Sequence, residues 1–204
     1  MGLNFDLLAQ LGFYGAYHRH PINKLIHFIF VPCILWSAMV WLAFSGELAP
    51  MPAAVQEVLG RSAVVNAPFL VFLLYSAFYL ILEPVAGLTW AACVGLPMWI
   101  TSTQFAAANP QHGWQIALGV HVFSWYMQIH PGHAVFEGRK PALLDSLVQA
   151  FALAPLFVWF EALFLLGYRR RLQQQLEVQI DKEVAKAGRA GGGGQGKAGR
   201  ARRD

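Results

Sequence analysis

Five apolar runs, each bounded by proline, glycine or charged residues, divide most of the chain. They are Leu25–Phe44, Val64–Leu82, Val85–Ile100, Trp114–Ile129 and Leu143–Tyr168. None alternates with the period of two that marks a half-buried strand, and most approach the ~20 residues that cross a bilayer as a helix. The pattern therefore predicts an all-α, polytopic membrane protein of about four to five hydrophobic helices. Ahead of them, Asn4–Tyr17 places Phe5, Leu8, Leu11 and Gly12 on one face, which predicts a short interfacial helix. Pro21 is expected to end that helix and Asn23 to cap the next. Gly46–Gly60, with two prolines, reads as a loop, and so does the polar stretch Thr101–Gly113.

Composition agrees with the pattern. The 204 residues are 56% hydrophobic and 13% charged, about half the charge of a soluble domain. Met1–Gln10 lacks the basic start of a signal peptide. Cys33 and Cys93 both lie inside apolar runs and form no CxxC pattern, so they report neither a disulfide framework nor a zinc knuckle.

The net charge of +4 has to be divided to be understood. From Arg169 onward, ten Lys/Arg face four acids, giving a tail of +6 on a body of −2. Residues 1–171 read as a helical membrane domain. Residues 172–204 read as a basic tail, helical at first and largely disordered beyond Ala187, where glycine dominates. The tail has no interleaved aromatics, which argues against nucleic acid and for a solvated segment near anionic lipid.

Two short segments carry the chemistry. One is Tyr14–His27, with His18, His20 and His27; the other is Gln128–His133, with His130 and His133. Ionisable residues at a bilayer edge are costly and usually have a partner or a task. Four spans lie between the segments, so both emerge on the same side and can meet. Arg19, Lys24, Arg139 and Lys140 share that side, which the positive-inside rule makes cytosolic. A fifth full crossing would then place the ten basic residues of the tail on the opposite face. Either the last helix, with Pro155 and Glu161, re-enters or lies at the interface, or two of the apolar runs are not true spans.

His18, His27, His130 and His133 are candidate metal ligands, since neutral imidazole suits iron and zinc. Pro131-Gly132 is expected to bend the backbone and leave His130 and His133 on a surface loop. Glu137 and Asp145 could orient an imidazole or ligate directly. Asn23 shares a helix face with His27. Tyr14, Tyr17 and Gln128 are candidates for contact with a substrate, and Arg139 for capture of a carboxylate. His121, within the fourth run, reads as a satisfied buried residue, His112 as a loop residue and His20 as a supporting one. The competing reading is a non-enzymatic transporter or lipid-binding scaffold whose histidines sense pH.

Residues at these positions also resemble a known family. Leu11-Gly12-Phe13-Tyr14, Tyr17-His18, Pro21, Asn23, Ile26-His27 and Val31-Pro32 are similar to the opening motif of the fungal 2-hydroxy fatty acid dioxygenases. Gln128, Gly132-His133, Phe136-Glu137, Arg139, Pro141-Ala142-Leu143, Asp145, Leu147, Gln149 and Leu153-Ala154-Pro155 resemble its second motif. The likeness runs from Leu11 to about Glu177. It implies an iron(II) enzyme of the endoplasmic reticulum membrane, with its histidines towards the cytosol. Such an enzyme uses O₂ to shorten a 2-hydroxy fatty acid by one carbon with loss of CO₂, in sphingoid-base breakdown. It carries His18, His27 and His133 over as catalytic ligands. His130-Pro131 departs from the family pattern, which leaves the fourth ligand open between His130 and a carboxylate.

Overall fold

The structure, a computed structural model, describes residues 5–141 and 147–192, without the side chains of 148, 149 and 187–192. It is all-helical apart from one two-stranded ribbon. Helix α1 (Leu7–Gly15) starts at Asp6, whose carboxylate accepts the Ala9 N–H at 3.0 Å. Helix α2 spans Pro21–Ala43. Pro21, expected to end the preceding helix, does not do so, since α1 stops at Gly15; it begins α2, because its fixed φ and missing N–H suit a first helical turn. His20 is the cap, with Nδ1 accepting the Ile22 N–H at 3.2 Å. Asn23, expected at the cap, lies inside the first turn instead, and its side chain is free for another use.

The segment expected as a loop after α2 contains β1 (Glu47–Ala49) and α3 (Ala53–Leu59). β1 pairs antiparallel with β2 (Val65–Asn66). The ribbon sends α4 (Ala67–Leu82) back antiparallel to α2. Glu83 then caps α5 (Pro84–Trp90), accepting the Ala86 N–H at 2.5 Å. One π-helical turn, Ala91–Gly95, joins α5 to α6 (Leu96–Ala108), with the Leu96 N–H reaching Ala91 O five residues back. That turn sits just ahead of Pro97, which cannot donate, so the helix widens instead of breaking. The helix therefore continues to Ala108 through residues expected as a polar loop.

Helix α7 (Gly113–Met127) packs against α2 and runs on as a π-helical stretch, Gln128–Glu137. The bend expected at Pro131-Gly132 is absorbed in this widened helix, which ends at Gly138 with φ +63°. Helix α8 (Leu147–Leu165) is followed by a turn and α9 (Arg170–Gly192). The segment expected to be disordered beyond Ala187 is helical as far as Gly192, and the rest lies outside the described residues.

Two helices, Pro21–Ala43 and Pro84–Ala108, are long and apolar enough to cross a membrane. Ala67–Leu82 and Ala150–Leu165 are apolar but shorter. The main core joins α1, α4, α5, α8 and α9 through residues such as Leu11, Tyr79, Trp90, Phe157, Phe160 and Leu176. Helix α9 is charged on one face, yet Leu172, Leu176 and Ile180 recur along the other and are buried. They lie on α1, where a side chain at Gly15 would collide with Ile180 Cδ1 at 2.5 Å. The Arg19–Asp181 pair, 2.9 Å apart, closes the edge of this contact. The first half of the basic tail is thus part of the core.

Truncating this stripe tests whether α9 holds α1 in place. Leu176→Ala is expected to cost about 2–5 kcal/mol, the usual range for a buried leucine. Val178→Ala, at a position 55% exposed, is expected to stay within about 0.5 kcal/mol of the parent. Thermal unfolding of the two variants reads the difference.

Candidate metal centre

Three histidines from two distant segments converge. His18 lies in the turn between α1 and α2, His27 in the second turn of α2, and His133 in the π-helical stretch after α7. One nitrogen from each lies within 4.8 Å of the others, and all three residues are buried. The ring centroids of His18 and His27 are 4.2 Å apart, and both stand 4.9 Å from His133. No two rings are stacked on each other, so three lone pairs can point at one centre.

Hydrogen bonds fix which nitrogen each ring offers. His18 Nδ1–H donates to Tyr14 O at 2.8 Å, and His27 Nδ1–H donates to Asn23 O at 2.9 Å. Each carbonyl lies one helical turn back, so the backbone of the first segment sets the tautomer of both its ligand candidates. Nε2 is then the unprotonated nitrogen in both. His18 Nε2 is buried without a partner, and so is His133 Nδ1. Buried polar atoms are rarely left unpaired, and two in one cluster of imidazoles mark a place for a ligand. Tyr14 stacks on His18 at 4.2 Å and Phe157 leans on both rings, which restrains their rotation.

The environment keeps these rings neutral. Burial holds His18 well below the usual imidazole value, reinforced by the neighbouring His27 and His133 and, more weakly, Lys24. Burial likewise pushes His133 down to about 4, against the opposing pull of Glu137. A neutral imidazole is the form that binds a metal.

Glu137, a candidate ligand from sequence, does something else here. Its carboxylate accepts the N–H groups of Arg19 (3.0 and 3.1 Å) and His20 (2.9 Å) and the Asn23 amide (3.0 Å). Asn23 also donates to Tyr17 O at 3.3 Å. These bonds tie the end of the π-helical stretch to the turn that carries His18. Gly132 permits the approach, since a Cβ there would meet Asn23 Oδ1 at 2.6 Å and His27 Cε1 at 3.5 Å. Arg139 Nη1 donates to Ala16 O at 2.7 Å, and its guanidinium lies 5.4 Å over the Tyr17 ring. Its charge is thus committed to the same turn.

The structure does not bring His130 into the group. It is exposed and stacks on Tyr126 at 5.6 Å. His20 caps α2 and stacks on Phe136. His121 donates through Nδ1 to Ser37 and accepts from Trp125 Nε1, each at 2.9 Å, so it is satisfied as expected. Asp145 lies outside the described residues.

The three histidines stand at one end of a cavity of about 280 Å³ lined mainly by apolar residues of α2, α4, α7 and α8. Gln128 lines it too, 5% exposed, with its Nε2 donor unpaired. A shallow outer recess, lined by Arg139 and Lys140, shares His133, Ile129 and Pro141 with this cavity. Sequence spacing pointed to the histidines, but the clamp role of Glu137 required knowing which backbone N–H groups face it.

The sequence model of the Mpo1-like family, described as 2-hydroxy-palmitic acid dioxygenase Mpo1-like, matches residues 5–166. The chain is also 36% identical over 176 residues to a Saccharomyces cerevisiae protein named 2-hydroxy-palmitic acid dioxygenase MPO1. That alignment covers 86% of this chain and 90% of the relative. No solved structure matches.

Metal titration tests the clamp and the ligand set together. Glu137→Ala is expected to weaken metal affinity by about 10–100-fold, the usual loss when a group supporting ligands is removed. His130→Ala is expected to bind metal as the parent does. Equal affinity in parent and Glu137→Ala would show that the turn holds its shape without the carboxylate.

Proposed function

The chain belongs to the Mpo1-like family, and from that premise we propose that it is an iron(II)-dependent dioxygenase of 2-hydroxy long-chain fatty acids. The reaction converts the 2-hydroxy acid and O₂ into the fatty acid one carbon shorter, CO₂ and water. The observation that carries this reading is the trio of buried imidazoles, two with orphaned nitrogens, at the polar end of an apolar cavity. A metal held by three neutral nitrogens keeps positions open for a substrate and for O₂. Bound there, iron(II) supplies redox activation of dioxygen and a Lewis acid for the carboxylate and 2-hydroxyl of the substrate.

The chain itself orients the reactants. Tyr14 O and Asn23 O hold His18 and His27 in the ligating tautomer, and the Glu137 clamp keeps His133 against them. Gln128 Nε2 is placed to donate to a head-group oxygen, since it is a buried donor with no other partner. Lys140, with the field of the Arg139 guanidinium held beside it on Ala16 O, gives an anionic head group in the outer recess a positive approach to His133. The apolar walls keep water from the reacting centre and receive the acyl chain.

The same reading makes this a membrane enzyme. Leu25, Phe28 and Ile29 of α2, Leu73, Leu74 and Ile81 of α4, and Val122, Phe123 and Ile129 on and after α7 all expose large apolar surface. Such contiguous exposure suits lipid. Arg19, Lys24, Arg139 and Lys140 stand near the histidine end, and that basic character supports a cytosolic orientation for it under the positive-inside rule. Placement in the endoplasmic reticulum, within sphingoid-base breakdown, rests on the family likeness.

The test is anaerobic reconstitution of the purified protein with iron(II), then O₂ and 2-hydroxypalmitic acid. Stoichiometric iron and release of the acid one carbon shorter are expected. His133→Ala, His18→Ala and His27→Ala are each expected to lose iron and turnover together while the protein still accumulates. Turnover by iron-loaded His133→Ala would sink the assignment. A protein that takes up no iron but binds lipid with a pH dependence would favour the scaffold reading. Gln128→Leu is expected to raise KM roughly 10-fold or more by removing one buried hydrogen bond to a charged group, with iron content unchanged.

A further inference from the structure

One helix face runs the whole length of the cavity. From His27 the lining of α2 passes through Val31 and Leu35 to Ala38, Met39 and Leu42. His27, Val31, Leu35, Ala38 and Leu42 advance by three or four residues at each step, with Met39 beside Ala38, so they form one stripe parallel to the helix axis. Fifteen residues separate His27 from Leu42, a rise of about 22 Å. That exceeds the ~15 Å of half a bilayer's hydrocarbon, which one lipid chain spans. Along the stripe the walls carry few groups that could hold a polar ligand. His121 is fully paired with Ser37 and Trp125, and the Tyr75 hydroxyl is committed to Phe151 O at 3.1 Å. The polar groups without partners, His18 Nε2, His133 Nδ1 and Gln128 Nε2, all belong to residues at the His27 end. The cavity thus has a polar head and an apolar body with one direction.

Resting on the assignment of the histidine end to a 2-hydroxy acid head group, we infer that the α2 stripe is a chain-length ruler and that Ala38 is its reading point. An extended acyl chain lies along α2 from Val31 towards Leu42 and Val71, with its head at His27. Ala38 lies about 16 Å along the axis from His27. It is the smallest of the α2 residues lining the cavity and is only partly buried, so it leaves the channel open beyond itself. Met39, 2% exposed and packed with Ala63 and Trp99, backs it as a fixed wall. A bulky side chain at 38 would close the last ~6 Å of the stripe. At roughly 1.3 Å of advance per carbon in a staggered chain, that removes room for about four carbons.

The test compares Ala38→Phe with the parent, iron-loaded and full length, in lipid nanodiscs. The ratio of kcat/KM for 2-hydroxypalmitic acid to that for 2-hydroxydecanoic acid is expected to fall at least about tenfold, within the usual discrimination of an apolar pocket. An unchanged ratio overturns the ruler, whether both rates fall or neither does. A second arm needs no chemistry: protection of the metal-free protein from thermal unfolding by palmitic and decanoic acids. The parent is expected to be protected more by palmitic acid, and Ala38→Phe more by decanoic acid. The same order in both proteins overturns the inference. Because this arm uses unhydroxylated acids, it separates the two readings. A ruler without turnover would defeat the dioxygenase assignment alone, and turnover without a change of order would defeat the ruler alone. Ala38→Leu, a smaller step, is expected to shift both measurements in the same direction and covers misfolding of the Phe variant.

Discussion

The carboxylate of Glu137 accepts the backbone N–H groups of Arg19 and His20 and the side-chain amide of Asn23, and the geometry of the site follows from that. These donors stand at the start of α2, where N–H groups are exposed and partial positive charge accumulates. An acid at the end of the π-helical stretch meets both needs. The join links residues 114 to 118 positions apart, and with Gly132 seated on Asn23 it sets the distance of His133 from His18 and His27. Arg139 repeats the connection from the next turn by bonding Ala16 O. A carboxylate spent on three donors is a poor metal ligand, which sets Glu137 apart from the three histidines.

Burial then decides what that set can do. Three imidazoles crowded this closely cannot share positive charge, and desolvation already disfavours the protonated forms of His18 and His133. The cost of holding two unpaired nitrogens in apolar surroundings is offset only when something occupies the centre. The aromatic clamp of Tyr14 and Phe157 opposes the escape of these rings to solvent. Preorganisation of this kind suits a cluster that could bind a metal through neutral donors and exclude bulk water.

The meeting of the two histidine segments was legible from hydropathy alone, because the parity of the apolar runs puts both at one end. His121 was legible too, as a lone histidine with helical neighbours that could satisfy it. What could not be read was the local helical geometry. Pro131 signals a bend in sequence, yet it is absorbed by a π-helical stretch, and another π-helical turn lies just ahead of Pro97; both depend on the packing of the neighbouring helices. The surroundings likewise decide that His20 caps α2 while Asn23 serves Glu137. His130 illustrates the same point. Three residues from His133, it faces outward because the widened turn fixes only one of the two towards α2.

The charge balance of the tail follows from the tilt of α8. The Tyr75 and Tyr79 hydroxyls bond Phe151 O and Ala152 O near the start of α8, while Tyr168 and Arg169 beyond its end bond Glu83. On α4 the step from Tyr75 to Glu83 is about 12 Å, whereas the helix from Phe151 to Leu165 is about 21 Å long. Helix α8 must therefore lie obliquely, beginning near mid-height of the bundle and emerging at the histidine end. The Lys24–Glu161 pair at 2.9 Å, joining α8 to the first turn of α2, agrees with that course. Helix α9 then returns to α1 on the same face. A full crossing would have set the basic residues of α9 against Arg19, Lys24, Arg139 and Lys140. The oblique helix instead brings α9 back to the histidine end, where Leu172, Leu176 and Ile180 pack into the main core.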